Sequence, residues 1–205
     1  MNYGEIRTQF KAILNRRDCS NTLADTFLNQ SLQRCTRELR TPAQEAQTNL
    51  TVPSPFVGFP VPADLIQTIA MMAQIVGGQQ RKIEYSPLAR FLEMDNAAAG
   101  QPQYYTRIGN AFQFRPTPPL DAVLTLYYYG EFEQFTGDSD ETVLSLIAPD
   151  LLIYGALSYA ADYFMDDRAQ AFEGRYAQIA QALQDQAYDL EAHDASIAPA
   201  YNTEY

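Results

Sequence analysis

The sequence has little of the chemistry that metal sites and most enzymes need. Its 205 residues include one histidine, His193, two cysteines, Cys19 and Cys35, and no tryptophan. Two thiols and one distant imidazole, without a CxxC pair or a second histidine, are a weak basis for a zinc site. No signature of a cysteine enzyme surrounds either thiol. Because Cys35 falls on an apolar helical face, we expect it to be a buried, reduced thiol.

Motifs for catalysis and for cofactor binding are also missing. The sequence contains no GxSxG, HExxH, GxGxxG or glycine-rich loop ending in GK[ST]. Asp138, Asp140 and Glu141 resemble a calcium loop only loosely, because the twelve-residue spacing and the final bidentate glutamate are missing. We therefore expect no enzymatic activity, no metal and no cofactor. Asp166 and Asp167 are assigned to helix capping and solvation.

Long hydrophobic runs and positive charges are both scarce. No run of about 18 apolar residues occurs, so we expect no membrane span. The N-terminus has no signal-peptide core, which predicts a cytoplasmic origin. Lys and Arg number 14 against 25 Asp and Glu, for a net charge of −11. This balance argues against gripping nucleic acid through phosphates. Two interpretations of the negative charge remain open: it serves only solubility, or it forms an acidic surface along which DNA slides.

Helical periodicity is plentiful at both ends of the chain. Residues 148–193 predict two long helices folded back on each other through an acidic corner at residues 165–168, with Pro149 in the first helical turn. Residues 3–15 predict a further helix. The stripe of apolar residues up to Leu39 predicts another, for which Thr22 is the expected cap.

The middle of the chain has a sequence pattern typical of β-strands. Four prolines between residues 53 and 62 exclude long helices there. Residues 65–76 and 80–85 predict two strands around a Gly-Gly turn. Residues 104–108 and 111–115 predict a hairpin around Gly109-Asn110, because this pair accepts the positive φ of a tight turn. With residues 123–129 this gives about five strands, and a short helix at residues 87–94 is expected to be capped by Ser86.

These patterns together predict an α+β fold. The N- and C-terminal segments, residues 1–45 and 138–193, are expected to form a four-helix-type bundle. An antiparallel β subdomain is expected to be inserted at residues 46–137, and an extended C-terminal arm at residues 194–205. Pro199 ends the helical pattern before this arm. Its tyrosines either belong to a frayed tail or contact another chain, since tyrosine supplies contact area at low entropic cost.

The chain resembles the head-to-tail adaptor proteins of short-tailed bacteriophages, the family that includes tail tubular protein A. The resemblance rests on an ordered set of segments that covers nearly the whole chain up to about Leu190: YGEIRTQFKAILNR, RCTRELR, VPADLI, PQYYTRIGNAFQFRPTP, LTLYYYGEF and APDLLIYGALSYAADYFMDD. It implies a non-enzymatic virion protein of the tail or neck, assembled in the host cytoplasm. It also implies a homo-oligomeric ring of about twelve copies that binds the portal protein and a tail nozzle or tube protein.

The resemblance also implies how the ring would meet DNA and its neighbours. Genomic DNA would pass through the ring without specific binding, so that an acidic lumen lets it slide during retention and ejection. Tail fibres or tailspikes are further expected partners. Contacts to the portal or to a neighbouring subunit are assigned to Ile197, Pro199, Tyr201 and Tyr205, and contacts to the nozzle or fibres to Asn96, Gln101 and Gln103.

Two other functions compete with that of an adaptor. An acidic inhibitor that mimics DNA is permitted by the net charge, and it would stay monomeric or dimeric and compete with DNA. A small enzyme using Asp, Glu or Cys19 has no motif to support it. The mass of the assembled protein distinguishes the adaptor from the DNA mimic, because only the adaptor forms a ring on the portal.

Overall fold

The fold is that of a computed structural model, which describes residues 1–95 and 99–194 without the side chains of residues 190–194. The chain divides into two compact units. The helical unit comprises Met1–Ala43 and the described residues from Phe132 onward, and the β unit comprises Gln44–Glu131. The elements in chain order are α1 (Tyr3–Leu14), α2 (Asn21–Glu38), a 3-10 turn (Pro42–Gln44), β1 (Glu45–Thr51), β2 (Phe59–Pro60), β3 (Leu65–Gln74), β4 (Arg81–Tyr85), α3 (Leu88–Glu93), β5 (Tyr104–Ile108), β6 (Ala111–Arg115), β7 (Val123–Gly130), α4 (Val143–Ile147), α5 (Pro149–Tyr163) and α6 (Ala169–Asp194).

The first two helices begin at side-chain caps. The Asn2 side chain accepts a hydrogen bond from the Glu5 backbone N–H, and the Glu5 carboxylate accepts one from the Asn2 N–H, which completes a capping box. The N-cap of α2 is Ser20, whose hydroxyl accepts from the Leu23 N–H at 3.1 Å. The prediction of Thr22 as this cap is therefore wrong. A serine two residues earlier fills the role with the same chemistry.

Helix α5 is the centre of the helical unit. It packs against α1, α2, α4 and α6, and most of its length is buried. Gly155 allows α2 to approach closely, because a Cβ atom at this position would lie only 2.2 Å from the Ser31 hydroxyl oxygen. Apolar side chains from the neighbouring helices close around α5, including Ile6, Phe10, Leu28, Leu32 and Tyr176.

The β unit is one seven-stranded sheet in the order β1-β7-β3-β4-β5-β6-β2, which nearly closes into a barrel. Strand β7 is paired on both sides, with β1 and with β3, both antiparallel. The predicted hairpin is confirmed, with β5 and β6 paired from Tyr104–Arg115 to Ile108–Ala111 around Gly109, whose φ is +61°. Alternate side chains of β6 and β7, including Phe112, Phe114, Leu124 and Leu126, fill the core of this unit.

The structure corrects the predicted architecture. The predicted four-helix-type bundle with an inserted antiparallel β subdomain is wrong, although the α+β class is right. Among the described residues, five helices form the helical unit, and a seven-stranded sheet with its own core forms the β unit. The sheet is also mixed, since β4 and β5 pair in parallel at Tyr85 and Tyr105.

Local predictions in this part of the chain fail for identifiable reasons. Strand β1 was missed because only Ala46 and Leu50 of EAQTNLT are apolar, and β2 because it is only two residues long and contains Pro60. Ser86 does not cap α3, whose N-cap is Pro87 without a side-chain hydrogen bond. Of the predicted C-terminal arm, residue 194 belongs to α6, and residues 195–205 lie outside the described residues.

Candidate functional site

The helical unit has an apolar groove on its surface, which we call the α4–α6 groove. Its volume is about 150 Å³, and none of the described residues that line it is charged. Its walls come from the chain after α2, from the residue that follows the β unit, from α4, and from the second half of α6. The lining residues are Leu39, Thr41, Pro42, Ala43, Phe132, Leu144, Ile147, Leu183, Gln186 and Ala187.

The short helix α4 gives the groove its apolar rim. Thr142 and Ser145 cap it reciprocally, each side chain accepting from the other's backbone N–H. The helix cannot run on into α5 because Pro149 disfavours helical geometry at Ala148, which has φ −142° and ψ 64°. With the sequence VLSLI, a five-residue helix has more apolar side chains than it can bury. Val143, Leu146 and Ile147 are 49%, 60% and 58% exposed.

A charged network fixes α2 and α6 next to the groove. Both Glu173 carboxylate oxygens accept from the Arg34 guanidinium, at 2.6 and 2.8 Å, and the same guanidinium lies 3.9 Å from the Tyr176 ring centroid. The Tyr176 hydroxyl donates to Glu38 at 2.8 Å, and Gln184 donates to the Glu38 backbone carbonyl at 2.8 Å. Because Glu38 immediately precedes Leu39 of the groove, this network holds the groove's α2 wall against its α6 wall.

The network also shifts the titration of its members. The hydrogen bonds from Arg34 lower the pKa of Glu173 to about 2, from an ordinary value of 4.5. Burial raises the pKa of Tyr176 well above its usual value, and the nearby Cys35 and Glu38 raise it further. Tyr176 is therefore an uncharged hydrogen-bond donor and Glu173 a carboxylate at neutral pH. These groups serve to hold helices together, a structural role.

The predicted acidic positions have structural partners. Asp166 accepts from the Arg168 side chain and backbone N–H, and its pKa falls to about 2 chiefly through the side-chain bond. The backbone carbonyls of Asp138 and Asp140 accept from the N–H groups of Gly4 and Tyr3, so this acidic loop binds the first turn of α1. Within the part of the chain that the structure describes, no three His, Cys, Asp or Glu side chains are grouped to hold a metal ion.

The two thiols lie in the core of the helical unit. Cys19 and Cys35 are free and buried, which confirms the prediction made for Cys35. Burial raises the pKa of Cys35 to about 12, so that it is a protonated thiol at neutral pH. A buried and protonated sulfur is a poor nucleophile, and packing accounts for both residues.

Only two of the seven predicted partner-binding residues lie in the described chain. Gln101 is half-buried, and its side chain donates to the Ala73 carbonyl at 3.2 Å. Gln103 has an exposed side chain, while its backbone links β4 to β6 through Glu84 and Arg115. Asn96, Ile197, Pro199, Tyr201 and Tyr205 lie outside the described residues. The assignment of these residues to partners stays a prediction.

The groove residues were not predicted from the sequence. They come from four separate stretches of chain, and no local pattern brings Leu39, Phe132 and Leu183 together. One signal was readable: Thr142 with Ser145 three residues later, followed by Pro149, marks a short capped helix. An apolar helix of five residues cannot bury every side chain, so this signal would have predicted an exposed apolar surface.

Comparison with known families agrees with the resemblance found in the sequence. A family model described as SU10 adaptor protein matches residues 1–200, and this confirms the resemblance to phage head-to-tail adaptors. No curated protein matches the chain. Among the described residues, the structure contains no helix with both the length and the apolar character needed to cross a membrane.

Proposed function

Because the chain belongs to the SU10 adaptor protein family, a family of phage head–tail adaptors, we propose that it joins the portal to the tail in the virion. Its role is that of a structural virion component. The finer proposal is a ring of about twelve copies that binds the portal protein on one side and the tail nozzle or tube protein on the other. The observation that carries it is the family match over residues 1–200.

The two-unit organisation supports an adaptor with two kinds of neighbour. Each unit has its own core, so each supplies an independently built surface. We assign the portal, or the neighbouring subunit, to the C-terminal residues Ile197, Pro199, Tyr201 and Tyr205. The nozzle, fibres or tailspikes are assigned to the loop of the β unit that contains Asn96, Gln101 and Gln103, of which Gln103 is exposed.

The acidic balance supports a ring around DNA. A net charge of −11 per chain, repeated in every copy, repels phosphates and offers few cationic stopping points. We propose that genomic DNA passes through the ring without specific binding during retention and ejection.

Assembly on purified portal rings tests the proposal. The full chain is mixed with the portal, and the complex is weighed by native mass spectrometry. We expect a mass gain of about twelve times 23.1 kDa. Deletion of residues 198–205 should weaken portal binding by at least about tenfold, because aromatic anchors each contribute on the order of 1–2 kcal/mol. Q103K should bind the portal normally and fail to recruit the nozzle.

Three results would contradict the proposal. If the chain does not bind the portal, the adaptor assignment to this partner is wrong. If it stays monomeric and competes with DNA for a nucleic-acid-binding protein, the DNA-mimic alternative replaces it. A deletion variant that binds as tightly as the full chain removes the C-terminal residues from the portal interface.

A further inference from the structure

We propose that the free protein pairs with a second copy of itself along the open edge of strand β1, with the two strands antiparallel about a two-fold axis at Thr48. The paired edges would join two seven-stranded sheets into one. A two-fold contact of this kind joins two copies and does not repeat around a cyclic ring. The inference therefore concerns the free chain and is independent of the proposed ring.

Strand β1 ends the sheet with an edge that nothing in its sequence protects. Its seven residues pair with β7 without a register shift, and no described strand pairs with its other side. Sheet edges are commonly protected by lysine, by proline, by bulges or by a very short strand, and β1 has none of these. The opposite edge strand, β2, has two of them, since it is two residues long and contains Pro60. One edge of the sheet is therefore protected, and the other is open to a further strand.

The open edge presents backbone donors and acceptors at every second residue. Val52, which follows the strand, bonds toward β7: its N–H donates to the Ala122 carbonyl at 2.8 Å, and its carbonyl accepts from the Asp121 N–H at 3.2 Å. The direction of hydrogen bonding alternates along an antiparallel pair, so the even-numbered residues of β1 also bond toward β7. The odd-numbered residues turn their N–H and C=O groups away from it: Glu45, Gln47, Asn49 and Thr51.

The strand matches itself when two copies run antiparallel about Thr48. In this register all residues of β1 are paired, and the odd-numbered residues meet one another, so that each of these pairs can exchange two backbone hydrogen bonds. Threonine faces threonine, a favourable cross-strand pair, while apolar residues face apolar ones and amides face amides. The one charged residue of the strand faces a threonine, so no like charges are opposed. The facing pairs are Glu45–Thr51, Ala46–Leu50, Gln47–Asn49 and Thr48–Thr48.

Pairing would also extend the core of the β unit. Ala46 and Leu50 are half-buried and pack against this core. Leu50 of a second copy would lie beside Ala46 on the same side of the joined sheet, so each copy would cover apolar surface of the other. A contact between two strand edges is at the small end of specific interfaces, and we therefore expect a dimer that dissociates on dilution.

A single cysteine at the two-fold axis tests this pairing in the full chain. Thr48 would face Thr48 of the second copy in a non-hydrogen-bonded pair, in which the Cβ atoms lie about 4.5–5.5 Å apart. T48C should therefore form a disulfide between two copies under mild oxidation. The native Cys19 and Cys35 are buried and should not react. We expect covalent dimers on non-reducing gels, formed at a rate that rises with protein concentration.

T51C is the matched control in the same strand. In the proposed register Thr51 faces Glu45 of the second copy, so the two Thr51 positions are separated by the length of the strand, about 20 Å. A disulfide cannot span this distance. We expect T51C to form covalent dimers at least about tenfold more slowly than T48C.

Proline at an outward-facing position tests the backbone hydrogen bonds. Because the N–H of Asn49 faces away from β7, N49P removes a donor from the open edge and leaves the bonds within the sheet intact. Sedimentation equilibrium of the full chain should give a dimer dissociation constant at least about tenfold higher for N49P than for the parent. N49A keeps this N–H and should weaken the dimer less. Circular dichroism checks that both variants are folded.

Two kinds of result would overturn the inference. If T51C cross-links as fast as T48C, the strands do not pair in this register. If the parent chain sediments as a monomer at every concentration, or if folded N49P dimerises as tightly as the parent, the open edge of β1 is not the contact. The portal-binding experiment measures the mass bound to the portal, so neither result bears on the adaptor assignment.

Discussion

Gly155 is the position where one methyl group should most clearly disturb the helical unit. It lies in the central helix α5 at its contact with α2. A Cβ atom there would be 2.2 Å from the Ser31 hydroxyl oxygen and 3.1 Å from two ring carbons of Tyr176. Ser31 and Tyr176 are 0% and 1% exposed, so both are enclosed by other protein atoms and neither can move out into solvent. We therefore predict that G155A destabilises the protein.

The expected magnitude follows from two opposing contributions. Alanine gains about 1 kcal/mol over glycine in a helix interior. Overpacking a well-filled core costs about 1–3 kcal/mol, and a 2.2 Å approach together with two ring contacts belongs at the upper end. The net loss is about 2 kcal/mol. For a chain of this length it lowers Tm by about 4–8 °C.

Gly174 offers a matched control in another helix. It lies in α6, and a Cβ atom there meets nothing within 4 Å, so G174A should gain about 1 kcal/mol and raise Tm. Urea unfolding followed by far-ultraviolet circular dichroism, together with thermal scans, measures both variants. The double variant S31A with G155A should recover part of the loss, because it removes the nearest atom. If G155A proves as stable as G174A, close packing at this contact is not what Gly155 provides.

Two further predictions concern charged contacts of the helical unit. Because Arg34 lowers the folded-state pKa of Glu173 to about 2, from 4.5, their pair stabilises the fold above about pH 4.5, and this contribution is lost as the pH falls toward 2. The contribution of this ion pair to the free energy of unfolding should be below about 1 kcal/mol, since the Glu173 side chain is 44% exposed. In urea titrations at several pH values, E173Q should reduce the dependence of stability on pH between about 4.5 and 2. An unchanged pH dependence would contradict the role of this pair. Arg168 donates to the backbone carbonyls of Ile13 and Leu14 at the end of α1, so R168A should cost about 1 kcal/mol and speed amide hydrogen exchange in the last turn of α1. R17A, at an exposed neighbouring position, should leave that exchange unchanged. Equal amide exchange rates in R168A and R17A would rule out that Arg168 stabilises the end of α1.

The sequence predicts elements best where local chemistry alone determines them. Gly109-Asn110 demands a tight turn, and β5 and β6 begin and end at the predicted residues. The rhythm of Tyr3, Ile6 and Phe10 predicts α1 to within one residue at its end. Both segments carry their own signal, in a turn dipeptide or a helical period, and need no distant partner to be recognised.

Elements that depend on distant partners were missed. Strand β1 has exposed or half-buried residues throughout and is held by its antiparallel pairing with β7, more than seventy residues away in the chain. Its polar sequence predicts nothing by itself. The α4–α6 groove likewise depends on long-range contacts, since Leu39 and Leu183 become neighbours only when α2 and α6 pack together. The apolar stripes of α2 and α6 predict two helices, but they do not predict which residues of the two helices meet.

The division of the chain also sets an order of folding during synthesis. The β unit is continuous, Gln44–Glu131, so its residues can leave the ribosome and fold together. The core of the helical unit needs α5, which is translated after the whole β unit. At about 5–20 residues per second, α1 and α2 wait on the order of ten seconds with their apolar faces uncovered. We expect the nascent chain to expose its N-terminal helices to chaperones during that interval, and the β unit to be complete before them.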